Sequence, residues 1–362
     1  MSNGLDDVVA AQTVLSDVDG AGGQLIICGY PIEALAGHIR FEDAAALLLR
    51  AVSDDVPDGE TFARALGAAR RDVFDRVAPL LPALAGLDLY DGMRAGVALM
   101  PDGGTLDDAL RIAVAPAVLT PALIRLQAGE AAIAPDPLVG HAADILRMLG
   151  QGPDLEAPGT ALDTYLVTVC DHGLNASTFA ARVVASTRAG LNSAVLAGLG
   201  ALKGPLHGGA PGPIIAMLDA IAAGGDPRTW LEREVRGGER LMGFGHRIYR
   251  VRDPRADALK TAVQLLGRSG RPSDRLAQAE AVERIALDVL RTAKPGRVLE
   301  TNVEFYTALL LEAVGFPPRA FTCVFAMGRV IGWLAHAREQ QATGRLIRPQ
   351  SRYVGPRRDL AA

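Results

Sequence analysis

The apolar residues of this chain recur at helical spacing over most of its length. They are mainly Ala, Leu, Val and Ile, and aromatic residues make up only 5% of the sequence. Apolar residues at a period of 3.6, with few aromatic ones, favour closely packed helices over sheets. The pattern predicts helices at 41–52, 59–78, 106–115, 137–149, 161–169, 176–189, 195–202, 213–222, 227–236, 254–266, 277–292, 303–313 and 321–341.

Only one short run near the amino terminus has the pattern of a strand. Gln24 to Cys28 is apolar and ends at the turn residues Gly29-Tyr30-Pro31. The predicted fold class is therefore mainly α, with a short amino-terminal β element. A chain of 362 residues, 49% of them hydrophobic, can bury a large core and form one large domain or two. It contains no internal repeat and no low-complexity tract.

Charge and cysteine usage exclude several classes of protein. The net charge is −4, and the arginines are spread along the chain without a long basic run, so nucleic acid is not an expected partner. Cys28, Cys170 and Cys323 lie far apart and form no CxxC pair, which fits a reducing compartment. The sequence MSNGLDDVV at the amino terminus has no secretory signal pattern, and we expect a cytoplasmic protein.

The segment Phe321 to Ala337 is apolar except for Arg329 and His336. It is shorter than the roughly 20 residues that a bilayer requires and has a charge near its middle, so a buried helix is expected and no membrane association. A buried arginine is costly unless an anion meets it. Arg329 therefore has either a carboxylate partner within the protein or a binding role for a carboxylate of the substrate. The sequence leaves both open.

Three of the six histidines lie in segments punctuated by glycine. His207 stands in GPLHGG at a corner between two predicted helices, His246 in GFGHR, and His172 in DHGLN. Bare backbone beside an imidazole ring leaves room for a ligand, whereas an isolated histidine is more often a hydrogen-bonded core residue. Together with the arginines downstream, these histidines indicate a site for a substrate that carries carboxylates.

Four arginines cluster just after His246. Asp253-Pro254 has the pattern of a helix start, which places Arg255 in the first turn. Guanidinium groups and helix amino ends both favour carboxylate or phosphate, so an anionic ligand explains the cluster better than a solvated basic face. The segment matches neither a phosphate-binding P-loop nor a dinucleotide fingerprint. The four arginines are Arg247, Arg250, Arg252 and Arg255.

Two other chemistries are disfavoured by spacing. The three histidines are not paired at i,i+3 or i,i+4, and no HExxH motif or cysteine cluster accompanies them, which argues against a metal site. Cys170 and His172 are two residues apart, a spacing at which helical side chains diverge, so a nucleophilic dyad is weaker still.

Several motifs are spread over nearly the whole length of the chain. They are DHGLNAST, GPLHGGA, GFGHRIY followed by DPRA, NVEFY and RPQSRYVGP. In these motifs the chain resembles the citrate synthase family. The resemblance implies a homodimer with a two-domain helical fold. The large domain would comprise 1–207 and 314–362, and the small domain 208–313. The resemblance also implies oxaloacetate and acetyl-CoA as ligands, with acetyl-CoA a substrate, and no metal or redox cofactor.

The resemblance also assigns roles to residues. His207 would stabilise the enol or enolate of the acetyl group, His246 would polarise the ketone of oxaloacetate, and His172 would help to hold oxaloacetate. Carboxylate binding would fall to Arg255 and Arg329, with Arg348 reaching in from the other subunit. For the phosphates of CoA the candidates are Arg247 and Arg250, with Arg252 nearby.

The catalytic base departs from the family pattern. The family has an aspartate in an NVDF segment, and this chain reads Asn302-Val303-Glu304-Phe305. The extra methylene moves the carboxylate oxygens by about 1 Å, a displacement that can cost roughly a hundredfold in rate. Thr301 to Glu304 also matches a helix capping box, so Glu304 could be a base or a cap.

Three functions are therefore considered. The first is condensation of acetyl-CoA with oxaloacetate, followed by hydrolysis of citryl-CoA. The second is 2-methylcitrate synthesis from propionyl-CoA, since one methylene changes binding by only about 1 to 3 kcal/mol. The third is a low-activity or non-catalytic paralogue, because the base position holds Glu304.

Overall fold

A computed structural model describes residues 8–208, 212–245, 249, 251–268, 274–297 and 299–356. Helices dominate these residues, as the periodicity predicts. The α-helices are α1 (Ile32–Leu35), α2 (Phe41–Arg50), α3 (Gly59–Val77), α4 (Leu81–Ala85), α5 (Leu89–Val97), α6 (Leu106–Gln127), α7 (His141–Leu149), α8 (Glu156–Val169), α9 (Ala176–Ser186), α10 (Leu191–Leu202), α11 (Gly212–Gly224), α12 (Pro227–Arg236), α13 (Pro254–Arg268), α14 (Asp274–Ala293), α15 (Val303–Ala313) and α16 (Phe321–Thr343).

The amino-terminal strand belongs to a small antiparallel sheet. Strands β1 (Ser16–Asp19), β2 (Gln24–Ile27) and β3 (Tyr30–Pro31) lie in the order β1-β2-β3. Ser16 pairs with Ile27, which also pairs with Tyr30. The predicted strand is confirmed as β2, whose Leu25 and Ile27 are buried in the core. The sequence pattern missed β1 and β3 because they are too short and too polar to show alternation.

Side-chain caps fix where several helices begin. At α3, α6, α9, α12 and α15 the residue before the first turn accepts a backbone N–H of that turn. These interactions satisfy groups that have no partner inside the helix. The capping residues are Asp58, Thr105, Asn175, Asp226 and Asn302.

Helix α6 is longer than the sequence suggests. The predicted helix ends at Ala115, but the observed one continues through Pro116 and Pro121 to Gln127. Each proline removes one helical hydrogen bond and disfavours the helix by about 3 kcal/mol. Both prolines and nearly all their neighbours are buried, so tertiary packing outweighs the local penalty. The short helices α1, α4 and α5 were also missed.

Helix α16 is the central helix of the core. It packs against α2, α6, α8, α9 and α10, and it is buried from Phe321 to Gln340 apart from Thr322. Helices α6 and α16 are long and apolar enough to cross a membrane, but most of each lies inside the protein. The prediction of a buried helix around Arg329 is therefore confirmed. Helix α13, which carries Arg255 in its first turn, packs against α8 and against α15, the helix that carries Glu304.

Candidate active site

His207 lies at the corner between α10 and α11, as the sequence predicts. A Cβ at Gly208 would collide with the carbonyl oxygen of Leu202. The chain can therefore turn here only because this residue has no side chain. The imidazole is partly buried, and its Nε2 lies 2.7 Å from the Oγ of Ser177 in the first turn of α9. Helices α9 and α10 pack against each other, and this packing holds the histidine and the serine together.

Ser177 connects His207 to two further side chains. Its Oγ accepts a hydrogen bond from Trp333 Nε1 at 3.2 Å and lies 2.7 Å from Asn175 Oδ1. The single hydroxyl proton can point to Asn175 or to His207 Nε2. When it points to His207, a neutral imidazole carries its own proton on Nδ1.

The His207 ring is neutral at physiological pH. Burial and the nearby positive charge of Arg329 lower its pKa to about 4. Its Nδ1 makes no hydrogen bond within the described residues. A neutral imidazole with a proton on Nδ1 can donate a hydrogen bond to a developing oxyanion without having to be protonated first.

Arg329 is the most unusual charge in the structure. It is 1% exposed, and its Nε donates to the carbonyl oxygen of Val169 at 2.6 Å. The guanidinium also lies over the ring of Phe325, with 4.9 Å between its central carbon and the ring centroid. Among the described residues, no carboxylate comes within ion-pair distance. Burial lowers its pKa to about 10 against the opposing effect of Asp171, so the group stays charged at neutral pH.

Two glycines on α16 explain how the backbone reaches Arg329. A Cβ at Gly328 would stand 2.6 Å from a methyl of Val169, and one at Gly332 would meet the carbonyl oxygen of Cys170. The end of α8 can therefore lie directly against the backbone of α16. This close packing places the Val169 carbonyl on the Arg329 guanidinium.

Arg255 has a partner within the protein. Its Nε and Nη2 lie 3.0 and 2.8 Å from the two carboxylate oxygens of Asp253. Asp253 also accepts the backbone N–H of Arg255, which confirms the predicted helix start, and the backbone N–H of Val303 at 3.2 Å. One aspartate thus joins the first turns of α13 and α15.

Glu304 lies in the first turn of α15, and the capping-box interpretation is wrong. The N-cap is Asn302, whose side chain accepts the N–H of Glu304, while the hydroxyl of Thr301 donates to Glu283 at 2.7 Å. The reason is that Thr301 is in an extended bridge with Phe244, which moves the helix start one residue further along the chain.

The carboxyl group of Glu304 is electrostatically coupled to the arginines. Burial, supported by the negative charge of Asp253, raises its pKa to about 7, against the opposing charges of Arg255 and Arg329. A carboxyl group with a pKa near neutrality can exchange a proton at physiological pH, as a general base must. Within the described part of the chain, the Glu304 carboxylate accepts no capping hydrogen bond at the start of α15.

The segment before His246 lies beside the start of α15. Gly245 donates its N–H to the carbonyl of Glu300 at 2.7 Å and accepts from the side chain of Asn302 at the same distance. Gly245 has a φ of 75°, and a Cβ there would be 2.8 Å from Leu299, so glycine is needed. His246 itself, with Arg247 and Arg250, lies outside the described residues.

His172 is buried in the turn between α8 and α9. Its Nε2 lies 3.1 Å from the hydroxyl of Tyr249, and the two rings meet edge to face. Tyr249 also lies below the guanidinium of Arg255, with 5.8 Å between the guanidinium carbon and the ring centroid. Sequence reasoning missed Tyr249 and Ser177. Their positions within GFGHRIY and DHGLNAST were the only available signal.

The remaining basic residues differ in their surroundings. Arg252 lies 2.7 Å from Asp257 and 3.4 Å from Glu283, so part of the arginine cluster is paired with protein carboxylates rather than left for a ligand. Of the four arginines, Arg252 and Arg255 thus have carboxylate partners within the protein. Arg348 is exposed in the extended segment that follows α16, and no hydrogen bond or ion pair joins it to another described residue.

The metal and cysteine alternatives concern two further sets of side chains. No three His, Cys, Asp or Glu side chains within them form a group that could hold a metal ion. Burial raises the pKa of the Cys170 thiol to about 12, so the sulfur is protonated and not a nucleophile.

Comparisons with known proteins agree with this geometry. The family model described as "Citrate synthase, C-terminal domain" matches residues 4–350. The citrate synthase of Haloferax volcanii is 36% identical over 372 residues, which cover 98% of this chain and 96% of the relative. That of Acidithiobacillus ferridurans is 35% identical and covers 97% and 95%.

Solved structures give the same result. The citrate synthase of Thermotoga maritima has a TM-score of 0.82 at 31% identity and covers 98% of this chain and 96% of its own. The citrate synthase of Thermoplasma acidophilum, in a ternary complex with carboxymethyl coenzyme A and oxaloacetate, has a TM-score of 0.85 at 29% identity and covers 100% and 98%. The chain belongs to the citrate synthase family and is an acyltransferase-type enzyme with its helical fold.

Proposed function

We propose that this enzyme condenses acetyl-CoA with oxaloacetate and then hydrolyses citryl-CoA to citrate and CoA. The observation that carries the proposal is the guanidinium of Arg329, which is buried and charged and has no carboxylate partner among the described residues. A buried charge without an ion-pair partner is costly, so the site favours binding of an anion, and oxaloacetate brings two carboxylates. Arg329 acts electrostatically on both His207 and Glu304.

The condensation requires a base and a hydrogen-bond donor on one acyl group. In the proposal, Glu304 removes a proton from the methyl group of acetyl-CoA while Nδ1–H of His207 stabilises the enolate oxygen. His246 then polarises the ketone of oxaloacetate and protonates its oxygen as the carbon–carbon bond forms. Water hydrolyses the thioester in the last step. Acetyl-CoA is a substrate, and the scheme uses no metal or redox cofactor.

Substrate binding is divided among the other polar groups. His172, Arg255 and Arg329 hold oxaloacetate, and Arg348 of a second copy completes the site. The pairing of Arg255 with Asp253 is compatible with this role because it fixes the guanidinium next to the Glu304 helix. Arg247 and Arg250 are the proposed contacts for the phosphates of CoA.

The proposed domain division places the site between two parts of the chain. The small domain spans 208–313 and is inserted in a large domain formed by 1–207 and 314–362. Closure of one over the other would exclude water from the enolate. The proposed assembly is a cytoplasmic homodimer, and the absence of disulfides among Cys28, Cys170 and Cys323 fits a reducing compartment.

The acyl group is proposed to be acetyl rather than propionyl. The longer side chain of Glu304, compared with the aspartate of the family pattern, leaves less space at the reacting carbon. The test is a comparison of kcat/KM for acetyl-CoA and propionyl-CoA with saturating oxaloacetate. A larger kcat/KM for propionyl-CoA would identify the enzyme as a 2-methylcitrate synthase.

The function itself is tested by following CoA release and citrate formation together. The wild-type enzyme should release one CoA for each citrate, and the release should depend on oxaloacetate. Absence of turnover with either acyl-CoA, in a folded protein that binds oxaloacetate, would instead identify a non-catalytic paralogue.

A further inference from the structure

The residue before His172 forms a buried polar network that the proposed reaction does not use. Asp171 is fully buried, and its Oδ2 accepts hydrogen bonds from the hydroxyl of Ser16, on strand β1, and from His336 on α16. The backbone N–H of Gly173 donates to the same Ser16 hydroxyl at 3.1 Å. The small amino-terminal sheet is thereby joined to the turn that carries His172.

The protonation of His336 follows from its second neighbour. Nη1 of Arg182 lies 2.9 Å from Nδ1 of His336, and a guanidinium can only donate. Nδ1 therefore accepts, and the proton of the neutral ring is on Nε2, which faces Asp171. The charge of Arg182 is balanced by Glu339 at 2.5 Å. Asp171 is thus held by neutral donors, none of which neutralises its negative charge.

The second oxygen of Asp171 points toward the helix of Arg329. Oδ1 is 3.2 Å from the His336 nitrogen, but the N–H is directed at Oδ2, and Oδ1 accepts no hydrogen bond from the described residues. A Cβ at Gly332, one helical turn beyond Arg329, would be only 2.9 Å from this oxygen. Asp171 raises the pKa of Arg329 electrostatically, yet their side chains do not come within the 4.0 Å of an ion pair.

We propose that Asp171 is a restrained counter-charge for Arg329. Ser16 and His336 hold its carboxylate at a distance, so Asp171 keeps Arg329 charged in the core while the guanidinium stays open to a carboxylate of the substrate. Asp171, Ser16 and His336 are in this view positioning residues. The inference rests on the proposed role of Arg329 in binding oxaloacetate.

The direct test removes one restraint. In the Ser16→Ala variant Asp171 loses its hydroxyl donor and can turn to Arg329, which would compete with oxaloacetate for the guanidinium. If the collapsed pair forms in roughly nine-tenths of the molecules, the apparent Kd for oxaloacetate rises about tenfold. Titration calorimetry with oxaloacetate measures this Kd, and kcat at saturating substrate should change little.

A second substitution distinguishes pairing of Asp171 with Arg329 from a general loss of order in the turn that carries His172. The Asp171→Asn variant cannot form an ion pair with Arg329. Adding Ser16→Ala to this variant should therefore leave the Kd for oxaloacetate unchanged. Ser53→Ala is the control, because the Ser53 hydroxyl contacts Arg338 and Asp55, away from this network. Its Kd should equal that of the wild type.

Two outcomes would overturn the inference. One is an unchanged Kd for oxaloacetate in Ser16→Ala. The other is that Ser16→Ala raises this Kd by the same factor in the Asp171→Asn variant as in the wild type. A crystal structure of Ser16→Ala provides a readout that does not depend on the reaction. It should show Asp171 paired with Arg329, and a carboxylate that stays in place would contradict the proposal. Failure of the wild type to bind oxaloacetate would instead reject the proposed function and leave the crystallographic test intact.

Discussion

In the proposed mechanism Glu304 is the base, and its ionisation should set the pH dependence of the reaction. A base must be deprotonated in the free enzyme, and burial raises the pKa of this carboxyl group to about 7. We therefore expect kcat/KM for acetyl-CoA to rise with pH and to reach half its maximum near pH 7, because kcat/KM reports the free enzyme. A pH profile at fixed ionic strength measures it.

The Glu304 variants separate a base from a structural residue. Glu304→Ala should lower kcat by roughly 10² to 10⁴, the usual contribution of a general base. Glu304→Gln keeps the shape but cannot accept the proton, and should lose as much. Full activity in either variant would mean that another group takes the proton. Glu304→Asp shortens the side chain by one methylene, and its rate shows how far the backbone is adjusted to glutamate.

Ser177 is expected to set the proton position on His207. In the Ser177→Ala variant Nε2 of His207 loses its partner at 2.7 Å, and no hydroxyl proton can then select the tautomer with the proton on Nδ1. We expect kcat to fall roughly tenfold, with the KM for oxaloacetate unchanged. Steady-state kinetics measures both.

Ser193→Ala is the matched control for this serine. Ser193 is on α10, and its hydroxyl bonds only the exposed Asp102 among the described residues. Its kinetics should match those of the wild type. A Ser177→Ala enzyme with wild-type kcat would show that the tautomer of His207 does not depend on this hydroxyl.

At the scale of elements, the contact between α8 and α16 depends on glycine. A Cβ at Gly332 would collide with the carbonyl of Cys170 and press on Asp171. Overpacking of this kind typically costs about 1 to 3 kcal/mol. Gly332→Ala should therefore lower the free energy of unfolding by this amount and raise the KM for oxaloacetate. Denaturant unfolding and steady-state kinetics measure the two effects.

Gly200→Ala provides the comparison within another helix. Gly200 is exposed on α10, and a Cβ there would meet nothing within 4 Å. Alanine is a better helix former than glycine by up to about 1 kcal/mol, so this variant should be as stable as the wild type or more so. Equal stability of Gly332→Ala and Gly200→Ala would contradict the close packing of the two helices.

For the whole molecule, the origin of Arg348 can be tested by mixing subunits. Arg348→Ala and Glu304→Ala should each be nearly inactive. If Arg348 crosses to a second copy, a mixed dimer contains one intact site, because the unaltered Glu304 and the unaltered Arg348 then meet. Co-refolding the two variants should restore activity to as much as half that of wild type within each mixed dimer. No recovery in proven mixed dimers would place Arg348 in the site of its own chain.

The two-domain proposal predicts a change of shape. Saturating oxaloacetate should draw 208–313 toward the rest of the chain and reduce the radius of gyration. Small-angle scattering with and without oxaloacetate measures this. An unchanged radius would count against closure, and Arg329→Ala, which should not bind oxaloacetate, serves as the control.

The sequence by itself determined most of the helices. The spacing of apolar residues directly reflects which helix face is buried, so 227–236 and 303–313 agree with α12 and α15 to the residue. The glycines around His207 and the Asp253-Pro254 helix start could be interpreted locally because their conformational preferences are properties of single residues. Helix α6 could not, since only the surrounding core compensates for its prolines.

Only the tertiary structure decided which charges are paired. The sequence left open whether Arg329 has a carboxylate partner, and the structure gives it the backbone carbonyl of Val169 and no carboxylate among the described residues. Thr301 likewise donates to Glu283 instead of capping the helix of Glu304. Hydrogen bonds and ion pairs depend on distances of a few ångströms between segments far apart in the chain, and these distances are set by how the helices pack.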